Sequence, residues 1–174
     1  MSIGKHERPN RGETNVWLTP QNIIETLGPF DFDPCAAPNP RPWPTARNHF
    51  TESDGNGLNI VWKGRVWCNP PYSSEAELWL HKLAEHGDGI ALVFARTETA
   101  WFQRVIKHDW LMFFPAGRLT FHRPNGDRAK GNAGAPSVFL AIGDYNKKKA
   151  FKLWNSWILL YAQGLRLCIR YENL

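Results

Sequence analysis

The sequence lacks several patterns that mark common functional classes. Its 174 residues contain only three cysteines, Cys35, Cys68 and Cys168, which are far apart. There is no CxxC pair, no Cys/His cluster with zinc spacing and no HExxH pattern, so we predict no metal site and reduced, cytosolic cysteines. No apolar run has membrane-spanning length and no signal-peptide core is present, so we expect a cytoplasmic protein without a membrane partner.

The sequence does have basic charge and many aromatic side chains. Its formal net charge is +5, its pI is about 9.3, and 13% of its residues are aromatic, including nine tryptophans. A basic surface suits a polyanionic partner, because lysine and arginine release counterions from phosphates. Charge alone leaves nucleic-acid binding and an ordinary basic soluble protein both open, and core packing accounts for most of the tryptophans.

Local patterns predict strands that alternate with helices. We predict strands at 30–33, 65–68, 90–94, 110–114, 119–121, 137–142 and 165–171. We predict helices that begin at Thr19, Ser74 and Thr97, and an amphipathic helix over 147–162. Residues 38–64 are expected to be mostly ordered loop, residues 1–14 a flexible basic arm, and residues 15–174 one domain. The alternation indicates an α/β sheet with helices on both faces.

The strongest functional signal is Asn69-Pro70-Pro71-Tyr72, which directly follows a predicted strand. Two consecutive prolines restrict the backbone, so the Asn69 side chain and the Pro70 carbonyl can present two acceptors in fixed directions. An exocyclic amine such as adenine N6 has two N–H donors, and accepting both makes its nitrogen a better nucleophile. Tyr72 can stack on a base. A rigid turn with a packed tyrosine is the structural alternative.

Two further segments are candidates for ligand binding. Asp33-Pro34-Cys35-Ala36 is expected to form a small-residue loop at a strand's carboxyl end, where ligands approach α/β sheets. This loop lacks the GxG of the common cofactor fingerprint, and a tight turn is the alternative. Thr19 is the predicted N-cap and Pro20 the first residue of a helix, whose free N–H groups suit a carboxylate. Plain helix capping is the alternative there.

Residues 122–134 form a predicted basic, glycine-rich loop. They carry His122, Arg123, Arg128 and Lys130 against one acid, Asp127. Cationic side chains on a loop can contact the phosphates or base edges of a nucleic acid, so the two arginines and the lysine are candidate nucleic-acid contacts. A solvated surface hairpin is the alternative.

In chain order, Thr-Pro, Asp-Pro-Cys-Ala and Asn-Pro-Pro-Tyr resemble the phage-type, Dam-like family of DNA N6-adenine methyltransferases. The matching stretches cover roughly residues 16–142 and read WLTPQNIIETLGPFDFDPCAAP, GLNIVWKGRVWCNPPY, ALVFARTETAWF and FFPAGRLTF. The resemblance implies a compact α/β, Rossmann-like, S-adenosylmethionine-dependent methyltransferase. It further implies double-stranded DNA as the partner and a phage- or prophage-encoded protein in the cytoplasm of a bacterial cell.

The resemblance also implies how the cofactor S-adenosylmethionine is held. Asp33 and the backbone of Pro34, Cys35 and Ala36 would lie near its methionine part, and Thr19 and Pro20 would hold its carboxylate. Only 36 positions separate Asp33 from Asn69, so the usual second and third strands are expected to be compressed or missing. Asp54 is the candidate acid for the cofactor ribose.

On the target side, the resemblance implies that Asn69, Pro70, Pro71 and Tyr72 hold a flipped-out adenine. Arg96 and Arg118 would face the cleft or the DNA. The motif chemistry alone leaves other amines open, namely cytosine N4, an RNA base or a protein glutamine, and also a non-catalytic DNA-binding relative. The DNA recognition sequence and the oligomeric state are not specified by the sequence.

Overall fold

The computed structural model describes residues 16–71, 75–151, 157–163 and 166–167, and describes side chains up to residue 150. The helices in these ranges are α1 (Gln21–Leu27), α2 (Ala76–His86), α3 (Ala100–Val105) and α4 (Asp144–Phe151). Short 3₁₀ turns at Glu52–Asp54 and Gly57–Asn59 follow the second strand. The strands are β1 (Phe32–Ala36), β2 (Asn48–Thr51), β3 (Val66–Cys68), β4 (Gly89–Phe94), β5 (Leu111–Pro115), β6 (Ser137–Ile142), β7 (Trp157–Gln163) and β8 (Arg166–Leu167).

These strands form one mixed sheet in the order β2-β1-β3-β4-β6-β5-β7-β8. The first four are parallel neighbours, and every pairing from β4 onward is antiparallel. After β1 the chain places β2 on one side of it and then β3 on the other, so the direction of winding reverses there. Open α/β sheets bind ligands beyond the strand ends at such a switch point. The mixed α/β architecture is compatible with a methyltransferase-like fold.

Apolar side chains cover both faces of the sheet. In β4, Ile90 and Leu92 pack in a cluster with α1, whereas Ala91 and Val93 pack in a second cluster with α2 and α3. Alternate residues of a strand point to opposite faces, so α1 lies on one face of the sheet and α2 and α3 on the other. This confirms the prediction of helices on both faces.

The first strand differs from its prediction. Asp33 is the second residue of β1, and Pro34, Cys35 and Ala36 continue that strand instead of forming the loop after it. The pairing of β1 with β2 shifts register between Asp33 and Ala36. A proline is tolerated in a strand at such an irregular position, because its missing N–H is not needed in the ladder there. The loop residues 38–64 also contain a strand, β2, which pairs with β1, so this second strand is not missing.

Three later predictions were wrong in part. The helix predicted over 147–162 ends at Phe151, and residues 157–163 form β7 beside β5. Residues 119–121 are not a strand, and the carbonyls of Leu119 and Phe121 accept N–H groups from the loop that follows, those of Ala133 and Ala129. The helix predicted from Thr97 begins at Ala100.

Some predictions fall outside the described residues. These are the basic arm at 1–14, the capping residue Ser74, and residues 168–171 of the last predicted strand, which include Cys168. In the part of the chain that is described, no helix combines the length and the apolar character needed to cross a membrane.

Candidate active site

Two of the predicted segments meet where β1 and β3 lie side by side. Phe32 of β1 pairs with Val66 of β3. Further along, the thiol sulfurs of Cys35 and Cys68 are 4.0 Å apart, and the backbone N–H of Asn69 donates to the Cys35 sulfur. Burial raises the pKa of the Cys35 thiol well above its ordinary value. Asn69 therefore leaves the sheet directly beside the Asp33–Ala36 strand.

Asp33 is a buried carboxyl group that its neighbours hold in place. The residue is 3% exposed, its Oδ1 accepts the Cys35 N–H at 3.1 Å, and its Oδ2 accepts the Thr45 hydroxyl. Burial raises the pKa of Asp33 to about 6, although these bonds and the charge of Arg41 act in the opposite direction. A buried carboxyl group whose pKa is shifted toward neutrality is typical of functional sites.

Asn69 is oriented by the segment that precedes α1. It is half-buried, and its Nδ2 donates to the Trp17 carbonyl at 3.4 Å. Because an amide has one donor end and one acceptor end, this bond sets the nitrogen toward Trp17. Pro70 is buried and Pro71 is exposed. Tyr72 lies outside the described residues, so its stacking role stays a prediction.

Thr19 does not cap the first helix, contrary to the prediction. Pro20 is the N-cap of α1, and its carbonyl accepts the N–H groups of Ile23 and Ile24. Thr19 is 2% exposed, and its hydroxyl has no hydrogen-bond partner among the described residues. A buried hydroxyl without a partner is costly, so a ligand or a water that accepts from it would be stabilising. This property suits a residue that contacts a ligand.

Asp54 follows β2, but its carboxylate already accepts hydrogen bonds that stabilise the local structure. Its Oδ2 accepts the Thr51 N–H at 2.8 Å and the Thr51 hydroxyl at 2.6 Å, which closes a capping box on the 3₁₀ turn. These hydrogen bonds lower the pKa of Asp54. The side chain is exposed, and its role toward a ribose stays a prediction.

Sequence reasoning missed three side chains of the loop between β1 and β2. Thr45 donates to Asp33, the charge of Arg41 acts on the same carboxyl, and the indole N–H of Trp43 donates to the Thr19 carbonyl at 3.1 Å. All three support predicted cofactor residues. The loop is rich in proline and has no hydrophobic period, so the sequence gives no signal of which side chains point inward.

Residues 122–134, which we call the basic hairpin, fold back on themselves. His122 pairs with Arg128, and the Arg123 N–H donates to the Asp127 carbonyl at 2.7 Å. His122 also pairs with Leu18, immediately before Thr19. The basic hairpin is therefore attached to the segment that carries a predicted cofactor residue.

Family comparison supports the chemistry that these segments suggest. A sequence model of the DNA N-6-adenine-methyltransferase (Dam) family matches residues 7–156, most of the chain. The chain belongs to this family. Membership confirms the resemblance seen in the motifs, indicates DNA adenine N6-methyltransferase activity, and implies DNA as the substrate. A comparison with curated proteins found no match.

In this Dam-family chain the predicted DNA contacts are mostly exposed cations. Arg96, Arg118, Arg128 and Lys130 are exposed and Arg123 is half-buried. The four exposed side chains make no ion pair with an acid in the described ranges. Arg118 lies beside the basic hairpin, with its Nη1 donating to a carbonyl of residue 133 at 3.5 Å. Arg96 follows β4, where its guanidinium lies 5.8 Å from the Phe94 ring centroid.

Proposed function

We propose that this chain transfers a methyl group from S-adenosylmethionine to N6 of an adenine flipped out of double-stranded DNA, on a Rossmann-like core. One observation carries the proposal: the buried Asp33 strand and the Asn69-Pro70 turn lie side by side at the switch point of the sheet. Ligand binding at this position is general for wound α/β sheets, and the family match supplies the type of reaction.

The residues on the β1 side suit the methionine part of the cofactor. The Asp33 carboxylate is a partner for its ammonium group, and the buried Thr19 hydroxyl, which lacks a partner among the described residues, is a donor for its carboxylate. Cys35 and Ala36 are small enough for a ligand to approach the strand. When it is bound, the cofactor supplies an electrophilic methyl group on its sulfonium.

The residues on the β3 side suit the target amine. Asn69 and the Pro70 carbonyl accept its two N–H groups, which directs the nitrogen lone pair away from conjugation with the ring. No nucleophilic side chain is needed, because the rate gain comes from holding the amine in line with the electrophile. The N6 proton leaves to Asn69, to the Pro70 carbonyl or to water. An adenine inside the duplex is out of reach of this turn, so it has to flip out.

The exposed cations suit the DNA backbone. Arg118, Arg128 and Lys130 lie on or beside the basic hairpin and lack acidic partners among the described residues, so their charge is available to phosphates.

Nucleoside mass spectrometry tests the proposal directly. DNA from cells that express the chain is digested to nucleosides, and N6-methyladenine and N4-methylcytosine are quantified in the same sample. We expect N6-methyladenine with the wild-type chain and background levels with Asn69→Ala. N4-methylcytosine in its place would assign the other base. No methylated base, together with no S-adenosylmethionine binding by calorimetry, would leave a non-catalytic DNA-binding protein.

A further inference from the structure

Three parts of the proposed site meet on one short piece of chain, Trp17–Thr19, which we call the connecting segment. Its first carbonyl accepts the Asn69 amide at 3.4 Å. Its central residue exchanges both backbone hydrogen bonds with His122, at 2.9 Å each. Its last carbonyl accepts the indole N–H of Trp43 at 3.1 Å. The segment thus links the target side, the basic hairpin and the cofactor side.

Trp43 touches the basic hairpin as well as the connecting segment. Its ring meets the His122 ring edge-on, with centroids 5.1 Å apart and planes at 89°. At the hairpin turn Gly126 has a φ of 91°, and a Cβ there would lie 3.1 Å from the Pro42 Cβ and 3.8 Å from the Trp43 ring. The hairpin backbone therefore packs directly on the Pro42-Trp43 pair, in a conformation that favours glycine.

The loop that carries Trp43 also lines the cofactor side. Thr45, two residues further on, donates to Asp33, and the charge of Arg41 acts on the same carboxyl. Trp43 is only half-buried, so it is not locked into the core as Trp67 and Trp110 are. A shift of the basic hairpin would therefore displace the Trp43 ring. Through its indole N–H, Trp43 would transmit this displacement to the Thr19 carbonyl.

We propose that Trp43 is a positioning residue that couples DNA binding at the basic hairpin to binding of S-adenosylmethionine. This inference rests on the proposed function. Phosphates held by the hairpin restrain it, the hairpin restrains the Trp43 ring, and the indole N–H restrains Thr19, whose hydroxyl is the proposed donor to the cofactor carboxylate. Ordering that serves two ligands at once produces positive coupling without any large movement. Linkage then requires each ligand to raise the affinity for the other by the same factor.

The test measures this coupling with a ligand that cannot react. S-adenosylhomocysteine keeps the amino-acid and nucleoside parts of the cofactor, and its Kd is measured by calorimetry with the full chain, alone and with a saturating mixed-sequence duplex. For the wild-type chain we expect the duplex to lower this Kd by about fivefold or more. For Trp43→Phe, which keeps a ring and loses the N–H, we expect a change of less than about twofold.

Trp110→Phe is the matched control, because its indole N–H also donates to a carbonyl, that of Val105 at 2.9 Å, inside the core. This variant should keep the wild-type coupling. A second variant, His122→Ala, removes the ring contact on the hairpin side and keeps the backbone pair with Leu18, and it should also reduce the coupling. Thermal melting of each variant reports whether it is folded, independently of the coupling.

The possible failures are distinct. A wild-type Kd that the duplex does not change overturns the inference, and so does a Trp43→Phe chain that keeps the same coupling as Trp110→Phe. A wild-type chain that binds no S-adenosylhomocysteine at all overturns the proposed function itself.

Discussion

Asn69 and Asp33 lie on neighbouring strand segments, but the fold uses them differently. Asn69 is half-buried and donates to one backbone carbonyl, whereas Asp33 is nearly fully buried and accepts from Cys35 and Thr45. Substitutions of Asn69 should therefore act mainly on the reaction. Substitutions of Asp33 should act on cofactor binding and on stability together.

At the target side we predict that Asn69→Ala lowers kcat by about 10²–10³-fold, because one of two preorganised acceptors for the amine is lost. The Kd for S-adenosylmethionine should change little. Asn69→Asp keeps an acceptor oxygen and should retain more activity than the alanine variant. Single-turnover methylation and calorimetry measure the two effects, and a near-normal kcat for Asn69→Ala would contradict the assignment.

At the cofactor side we predict that Asp33→Ala weakens S-adenosylmethionine binding and leaves nonspecific DNA binding largely intact. The carboxylate is lost as a partner for the ammonium group, whereas the exposed cations at the basic hairpin are untouched. Calorimetry and fluorescence anisotropy with labelled duplex give the two affinities. If the cofactor Kd did not move, Asp33 would be a structural residue only.

Asp33 also predicts a pH dependence of stability. Its pKa is raised to about 6 in the folded protein from the ordinary value of 3.8, so between these values the folded chain binds more protons than the unfolded chain. Stability must then fall as the pH rises through this window, by up to about 3 kcal/mol. Urea denaturation from pH 4 to pH 7 should show a smaller decline for Asp33→Asn than for the wild-type chain, and parallel curves would refute this.

At the scale of elements, the best predictions came from segments whose apolar runs are continuous. The six residues of β4 and of β6 are almost all buried, and both strands were predicted within one residue of their bounds. The end of β3 at Cys68 was also predicted correctly, because two prolines follow Asn69 and stop the strand. β2 has a single buried residue, Thr51, so it has no apolar pattern to detect. Its existence depends on pairing with β1, which is a tertiary effect.

The basic hairpin is the element that should govern DNA affinity. We predict that changing Arg123, Arg128 and Lys130 together to alanine weakens DNA binding and flattens its salt dependence. Each phosphate contact that is lost should reduce the slope of log K against log salt by about 0.9. Anisotropy titrations at several salt concentrations measure this slope.

A control with the same charge change separates this local effect from a general loss of positive charge. Its three substituted cations are exposed and belong to segments outside residues 122–134: Lys63, Lys107 and Lys148. We expect this control to keep most of the wild-type slope. Equal slopes for the two triple variants would mean that DNA does not lie along the basic hairpin.

At the scale of the whole molecule, the antiparallel pairing of β4 to β8 could not be predicted from the sequence. A strand's apolar run indicates burial but not the direction of its neighbour, and β6 reads like the parallel β4. The candidate site does not depend on the antiparallel pairing, because its residues come from the parallel half of the sheet and from segments with distinctive local motifs. The sequence could single out Asp33 and Asn69 as candidates from their local motifs, whereas the contacts of Trp43 and Thr45 depend on how a loop without a hydrophobic pattern folds back.

Arg65 ties together parts of the chain that are distant in sequence. It is 6% exposed, and its guanidinium donates to the Leu27 and Pro29 carbonyls at 2.7 Å each and to the Asn146 side chain. We predict that Arg65→Ala lowers the free energy of unfolding by about 3 kcal/mol, because each buried acceptor left unpaired costs about 1–3 kcal/mol.

The matched control for Arg65 is Arg104→Ala, which also removes an arginine that makes more than one hydrogen bond through its guanidinium group. Arg104 donates to Glu77 at 2.6 and 2.7 Å, but its side chain is 55% exposed. Exposed ion pairs contribute about 0–1 kcal/mol, so this variant should be close to wild type. Urea denaturation compares the two, and equal losses would contradict the structural role of Arg65.

The placement of the basic hairpin bears on how such an enzyme could evolve. The hairpin leaves the sheet after β5 and returns at β6, and these two strands are neighbours. An excursion between adjacent antiparallel strands can change length and sequence without altering the register of the sheet. On the proposal that the basic hairpin contacts DNA, new DNA specificities would arise by exchange of this one excursion between relatives. An exchanged hairpin would need to keep only two contacts with the rest of the protein, the backbone pair with Leu18 and the close packing on Trp43.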